Sequence, residues 1–330
     1  MPKGSHQKLK LYYLSRIMLE HTDDEHSLTL PQIQELLEGY DVTADRKTLY
    51  QDMEELSVLG LDIISGKEGK YYTYHVGSKQ FDIAELKLLV DSVQSSKFIT
   101  ERKSAELIKK ITGLASNYEA AQLKRQVVVQ GRVKTMNESI YYIVDDIHRA
   151  IAENRKIRFE YMRWNTAKRM ESRKEGFYEV SPWALTWDDE NYYLIAYDEA
   201  ADGIKHYRVD KMKNIAVTSE KRAGKDHFKE FNLAAYSKMS FGMFGGEKIR
   251  VKLQFKEELV GVFLDRFGTD IPVLPVKGRK DWWETSVEVA VSNQFLGWVF
   301  ALGSGVKIVS PKEAVDLFQK ELEDRLKLYR

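Results

Sequence analysis

Cysteine is absent from this sequence, which excludes a disulfide framework, a thiolate metal site and a cysteine nucleophile, and suits a reducing compartment. Proline is scarce, with 6 residues, and no low-complexity tract interrupts the chain. No stretch approaches the roughly 18 uninterrupted apolar residues that a membrane span needs, and Met1 to Lys10 contains no apolar signal core. The expected location is therefore the cytoplasm, with no membrane partner. The 7 histidines make neither HxH nor HExxH spacing, and no Walker loop, GxGxxG or GxSxG occurs. Gly242 to Gly246 and Gly303-Ser-Gly305 read as glycine turns and not as phosphate cradles, and Asp23-Asp24 and Asp188-Asp189 fall in expected turns, where acids are commonplace. The expectation is a protein that is not an enzyme and needs no cofactor or metal.

What is present is the profile of a folded chain of two or three units: 330 residues, 43% hydrophobic and 31% charged. A net charge of +1 hides an uneven distribution. Residues 1–75 hold eight Lys and Arg (Lys3, Lys8, Lys10, Arg16, Arg46, Lys47, Lys67, Lys70) against thirteen Asp and Glu, whereas Arg102 to Lys134 and Arg149 to Lys174 are basic. Any nucleic-acid surface must be local.

Leu9 to Glu20 repeats apolar residues at helical spacing. Thr29-Leu-Pro-Gln32 has the form of a capping box with an early proline, launching a helix with Ile33, Leu36 and Leu37 inward. A third helix is expected from Ala44 to Val58, and two short strands, Leu61 to Ser65 and Tyr71 to Val76, flank a turn. Three helices and a hairpin in about 75 residues are the layout of a winged helix-turn-helix. On a wheel of about 100° per residue, placing Leu49, Met53 and Leu56 inward turns Lys47 and Gln51 outward, flanked by Ala44, Thr48 and Tyr50. Lysine and glutamine can bond base edges in a major groove, and the hydroxyls of Thr48 and Tyr50 can reach phosphates. Lys67 and Lys70 at the hairpin tip suit the adjacent DNA backbone. The competing reading of this surface is the solvated face of a small helical bundle.

Asp82 to Glu85 is a second capping box opening a helix to Ser96, followed by a helix from Lys103 to Leu114; both read as connecting helices. Asn117 to Thr135 has no clear period, with a strand expected at Val127 to Gln130. Ser139 to Asn154 is helical, and strands then follow at Ile157–Met162, Phe177–Ser181, Tyr192–Asp198 and His206–Val209, a spacing that predicts a small barrel or sandwich. After a glycine-rich break at 241–246, alternating strands around Ile249 to Phe255 and Val287 to Val291 precede Ser310 to Glu313, which has the form of a capping box opening a terminal helix.

Asn191-Tyr-Tyr-Leu-Ile-Ala-Tyr-Asp198 followed by Gly203-Ile-Lys-His-Tyr-Arg-Val-Asp-Lys-Met212 resembles the core of the WYL-domain transcriptional regulators. Arg46 to Leu56 is similar to the recognition helix of their DeoR-like head, and Lys248 to Arg330 to their C-terminal WCX extension. Tyr192 stands where the family's name-giving Trp is usual, Lys205 replaces a usual Arg, and Gln51 sits where the head often carries Arg. The resemblance implies an α+β multidomain chain: a winged head over 1–77, a helical linker over 78–138, an Sm-like, SH3-type WYL barrel over 139–222, a linker over 223–246 and a WCX domain over 247–330. It implies a homodimer that binds a double-stranded DNA operator and senses a nucleotide or single-stranded nucleic acid in the barrel. Aromatic rings stack on bases and cations meet phosphates there, with Tyr161, Trp183, Tyr193 and Tyr207 as stacking groups and Lys205, His206, Arg208 and Lys211 as the cationic set. Strand alternation puts Lys205 and Tyr207 on one face of their strand and His206 and Arg208 on the other. The pocket is assigned to His206 and Arg208, with Tyr207 in the core. A second reading is an accessory protein whose barrel binds single strands as its main task.

Overall fold

The computed structural model describes residues 6–123, 134–229, 241, 243 and 248–330. The expected strand at Val127 to Gln130 and most of the 241–246 break lie outside these residues. The chain divides into two compact units, 1–136 and 137–330.

The first unit starts with α1 (Lys10–His21), β1 (Leu28–Thr29), α2 (Leu30–Glu38) and α3 (Arg46–Val58), then β2 (Ile63–Glu68) and β3 (Tyr71–Val76). The caps follow from side chains that satisfy otherwise unpaired N–H groups. The Gln32 carboxamide oxygen accepts from the Thr29 N–H at 2.8 Å, and Asp45 accepts from the Thr48 N–H at 2.9 Å. Leu14, Ile17, Ile33, Leu37 and Leu49 are fully buried between the three helices, with Tyr74 and Val76 of the hairpin closing the core. The three strands pair in the order β1-β3-β2.

Three further helices, α4 (Ile83–Ser95), α5 (Glu101–Thr112) and α6 (Asn117–Leu123), belong to this same unit and do not form a separate connector. The reason is a polar seam. Asp23, after α1, is buried and accepts from the Ser116 hydroxyl at 2.5 Å, while the His26 ring nitrogen lies 2.6 Å from its other oxygen. The His26 ring stacks on Tyr118 at 3.7 Å, and Lys79 pairs with Glu119 at 2.6 Å. Ser116 and Glu119 also form a reciprocal cap on α6, since the Ser116 N–H donates to Glu119 at 2.9 Å and the Glu119 N–H donates to the Ser116 hydroxyl at 3.1 Å.

The second unit opens with α7 (Ile140–Ala152), whose buried stripe Ile140, Ile143, Ile147 and Ala150 packs on a curled antiparallel sheet. Its strands are β4 (Arg155–Trp164), β5 (Met170–Ser172), β6 (Tyr178–Asp188), β7 (Asn191–Asp198), β8 (Gly203–Arg208) and β9 (Met212–Lys221). β4 joins β6 on one side and β9 on the other, and β6-β7-β8 continue the sheet. Among the described residues no ladder joins β8 to β9, so the curled sheet forms a half-barrel. A 3-10 turn, Val209–Lys211, makes the corner between them.

The last segment runs β10 (Lys248–Lys256), α8 (Val260–Phe267), β11 (Leu274–Pro275), β12 (Trp282–Ala290), α9 (Asn293–Ala301), β13 (Val306–Ser310) and α10 (Lys312–Lys327). The order β11-β12-β10-β13 is that of a split βαβ sheet. Val251, Leu253, Phe255, Val287 and Val289 alternate inward and pack on Phe263 and Phe295 of the helices. The opposite face of β10 and β12 carries paired charges, Arg250 with Glu288 at 3.0 Å and Lys252 with Glu284 at 2.7 Å. The capping box expected at Ser310 does not form: Ser310 is held in β13 against Lys252, and Pro311 takes the cap position without a side-chain bond. Among the described residues no helix is long and apolar enough to cross a membrane.

Candidate functional site

On α3 the burial pattern turns Leu49, Met53 and Leu56 inward, together with Asp52, which pairs with Lys10 at 2.5 Å. Arg46, Lys47, Tyr50 and Gln51 are exposed on the other side. The hydroxyls behave differently from the expectation. Thr48 turns its hydroxyl back to the Asp45 carbonyl at 3.1 Å, and the Tyr50 hydroxyl accepts from the Arg46 guanidinium at 3.2 and 3.3 Å. Both are engaged at the start of the helix, because Thr48 lies within the reach of the cap. Lys67 in β2 and Lys70 at the turn are exposed on the hairpin. Among the described residues Lys47, Lys67 and Lys70 make no ion pair.

In the second unit, one concave site gathers Tyr161 of β4, Arg173 and Tyr178 flanking the β5–β6 connection, Tyr193 of β7 and Lys205 to Arg208 of β8, with Met243. Its volume of about 660 Å³ lies within the range of small-ligand sites. The walls are rigid because the aromatic rings support one another. Phe159, fully buried beneath the site, stacks on Tyr178 at 5.8 Å, and Tyr161 and Tyr207 meet edge to face at 5.3 Å. The Arg208 N–H donates to the Tyr161 hydroxyl at 3.1 Å, which fixes that ring from β8.

The charges of the site are largely committed. Arg208 donates to both carboxylate oxygens of Asp210, at 3.0 and 2.9 Å, and to Asn191 at 2.9 Å. Lys205 pairs with Asp198 at 2.6 Å, and the same carboxylate accepts from the Tyr207 hydroxyl at 3.2 Å. Burial, and then the nearby Lys248 charge, push His206 down to about 4, so its ring is neutral at pH 7. Unfolded histidine takes a proton near about pH 6.5. Because the folded value is the lower one, the unfolded state binds more protons below that pH, and stability falls as pH drops from about 6.5 towards 4. His206→Gln should flatten this decline in thermal midpoints measured across the window. A slope equal to that of the wild type would remove His206 as its origin.

The structure thus brings together Tyr161, Tyr193, Lys205, His206, Tyr207 and Arg208, and buries Tyr207 as expected. Because β8 lies at the edge of the half-barrel, residues from both of its faces reach the cavity, so alternation does not divide lining from core. Two expected members lie elsewhere. Trp183 is sandwiched between Phe228, stacked at 4.8 Å, and Arg222, with its ring N–H on the Ala223 carbonyl at 3.0 Å. Lys211 points to Trp164, 5.5 Å from the ring centroid. Arg173 and Tyr178 are additions: Arg173 follows the three-residue β5, which carries no periodic signal, and Tyr178 lies in an expected strand but outside the stretch that carries the family resemblance. Among the described residues no group of three His, Cys, Asp or Glu could hold a metal ion.

Comparison with known proteins bears on this unit. The WYL domain model matches residues 142–217 and the WCX domain model residues 247–326. No curated protein is matched. Among solved structures the chain is similar to proteasome accessory factor B/C (PafBC) of Arthrobacter aurescens, at 16% identity and a TM-score of 0.29, covering 100% of this chain. The match spans 50% of the PafBC chain. A CRISPR Cas-related protein is similar at 15% identity and a TM-score of 0.35, covering 99% of this chain and 86% of that one. The strands that line the cavity lie in the segment matched by the first domain, and the split βαβ sheet in that matched by the second: the chain carries a WYL domain over 142–217 followed by a WCX domain over 247–326.

Proposed function

We propose that the chain is a DNA-binding transcriptional regulator, not an enzyme, in which a winged helix-turn-helix formed by α1 to α3 and the β2–β3 hairpin reads an operator and the WYL cavity holds a nucleotide or single-stranded nucleic-acid effector. The observation that carries the DNA-binding part is where the unpaired charge lies. In a head with an excess of acids, Lys47 on the outer face of α3 and Lys67 and Lys70 on the hairpin remain without ion pairs among the described residues, beside the exposed Gln51. The effector part is supported by the tyrosine walls of the cavity, which offer ring faces and edges to a base. A homodimer fits this reading, since one small head buries too little DNA for selectivity and paired half-sites remedy that.

Lys47→Ala and Gln51→Ala should each weaken binding to a selected duplex by about 1–3 kcal/mol and relax its sequence preference. Lys67→Ala and Lys70→Ala should instead weaken all duplexes alike, and each should reduce the salt slope by about 1, the share of a single phosphate. Fluorescence anisotropy on duplexes selected from a random pool reads both effects. Unchanged affinity in the two α3 variants, with folding intact, would eliminate the recognition helix. The regulatory part has its own check: an effector that alters operator affinity must have its own affinity altered by the same factor.

A further inference from the structure

We infer that Arg173 is the anion anchor of the WYL cavity and that the effector presents a single phosphate group beside an aromatic base; this rests on the reading of that cavity as the effector site. Four lining residues can carry positive charge: Arg173, Lys205, His206 and Arg208. Lys205 is neutralised by Asp198 at 2.6 Å, and Arg208 by the two-pronged contact to Asp210, with Asn191 holding the same guanidinium. His206 is half-buried and neutral at pH 7. Arg173 alone among them makes no ion pair with any described residue, and it is exposed.

Arg173 is nonetheless held in place. Its backbone N–H donates to the Tyr161 carbonyl at 2.8 Å, which ties it to the strand that supplies a wall of the cavity. Beside it, Lys174 sits over the Tyr178 ring at 4.1 Å, and Phe159 stacks on the same ring from beneath. A guanidinium presents paired donors that match the oxygens of one phosphate, and anchoring its backbone spares part of the ordering cost. The aromatic rings of Tyr161 and Tyr193 then supply the surface for a base. A di- or triphosphate would bring several negative charges to the one lining cation, Arg173, that is not committed to a carboxylate, and to the neighbouring Asp198 and Asp210 carboxylates. One phosphate, either a terminal monoester or one link of a short strand, matches the charge available.

Calorimetry on the full chain with adenosine, adenosine 5′-monophosphate, adenosine 5′-triphosphate and a ten-residue oligothymidylate tests this at several salt concentrations. The expected result is that the monophosphate or the oligonucleotide binds, with a salt slope close to that of one phosphate, about 0.7 for a single strand. Arg173→Gln should lose about tenfold to a hundredfold in affinity and flatten that slope, as expected for removing a charge-assisted bond, while Arg173→Lys keeps the slope. Because the residue is exposed, thermal midpoints of both variants should match the wild type. A preference for the monophosphate over the oligonucleotide identifies a terminal phosphate as the source, and the reverse identifies a backbone link. Wild-type-like binding by Arg173→Gln, tightest binding of the triphosphate, or a slope of several phosphates would each overturn the inference while leaving the cavity as effector site. Binding of none of the four probes by the wild type would overturn that reading and the inference with it.

Discussion

Phe159→Ala is expected to destabilise the second unit by about 3–5 kcal/mol, as is usual when a fully buried aromatic ring is deleted and the surrounding structure only partly relaxes into the gap. Phe159 is 0% exposed and is the ring on which the cavity walls rest. It stacks on Tyr178 with an interplanar angle of 11° and meets Tyr207 edge to face at 5.2 Å and Tyr161 at 6.2 Å. Two consequences follow from the one position. The urea midpoint of the second unit falls with little change in slope, and effector binding weakens under conditions where the unit is still folded, because three lining rings lose their support. Phe159→Leu fills more of the volume and should cost well under half as much. A loss below about 1 kcal/mol for the alanine variant would show that the rings hold their positions without it.

Asp23→Ala should cost the first unit about 2–5 kcal/mol, since it leaves the buried Ser116 hydroxyl and the His26 ring without their acceptor. Asp23→Asn retains an acceptor and should cost less. Burial alone would raise the Asp23 carboxyl, but the hydrogen bonds from Ser116 and then His26 outweigh it and hold the group below the ordinary carboxylate range. A depressed folded value means that the stabilisation is present above the unfolded value of about 3.9 and is lost as pH falls through the folded one. Acid unfolding of the first unit should therefore be less steep below about pH 4 in Asp23→Asn than in the wild type. Equal acid profiles would assign the acid sensitivity to other carboxylates.

The elements that can be read from sequence are those whose signals are local. Thr29 with Gln32 and Asp82 with Glu85 cap helices as their spacing predicts, and β3 spans Tyr71–Val76 as expected. Ser116 and Glu119 have the same spacing, so α6 is legible in principle, but the polar run around it masks the signal. Ser310 shows the converse: the same pattern loses to strand pairing, which no local rule contains. β9 escapes the sequence pattern because its exposed Lys213, Asn214, Glu220 and Lys221 blur the alternation that its pairing with β4 imposes. In the cavity, Tyr193, Tyr207 and Arg208 lie in the stretch that carries the family resemblance, yet their partners are not legible there. That Arg208 directs its charge to Asp210 and Asn191, and that Arg173 joins from the segment after β5, depends on how the half-barrel curls.

The seam at Asp23, Ser116, His26 and Tyr118 also decides which part of the chain is portable. A fragment ending at Val76 would keep the outer face of α3 intact but would strip the stacking partner from His26 and open the pocket in which Asp23 sits. It would also discard both partners of the Lys79–Glu119 ion pair. On the proposed DNA-binding reading, such a fragment would report the affinity of a loosened fold, and its weakness would mimic a requirement for the second unit. The smallest faithful excision runs through Met136, the end of the unit, because the Lys134 ammonium donates to the Val93 and Ser96 carbonyls and to the Ser104 hydroxyl. A graft of the outer α3 surface onto another scaffold must therefore carry α4 to α6 along with the β2–β3 hairpin, because the boundary lies after the seam and not before it.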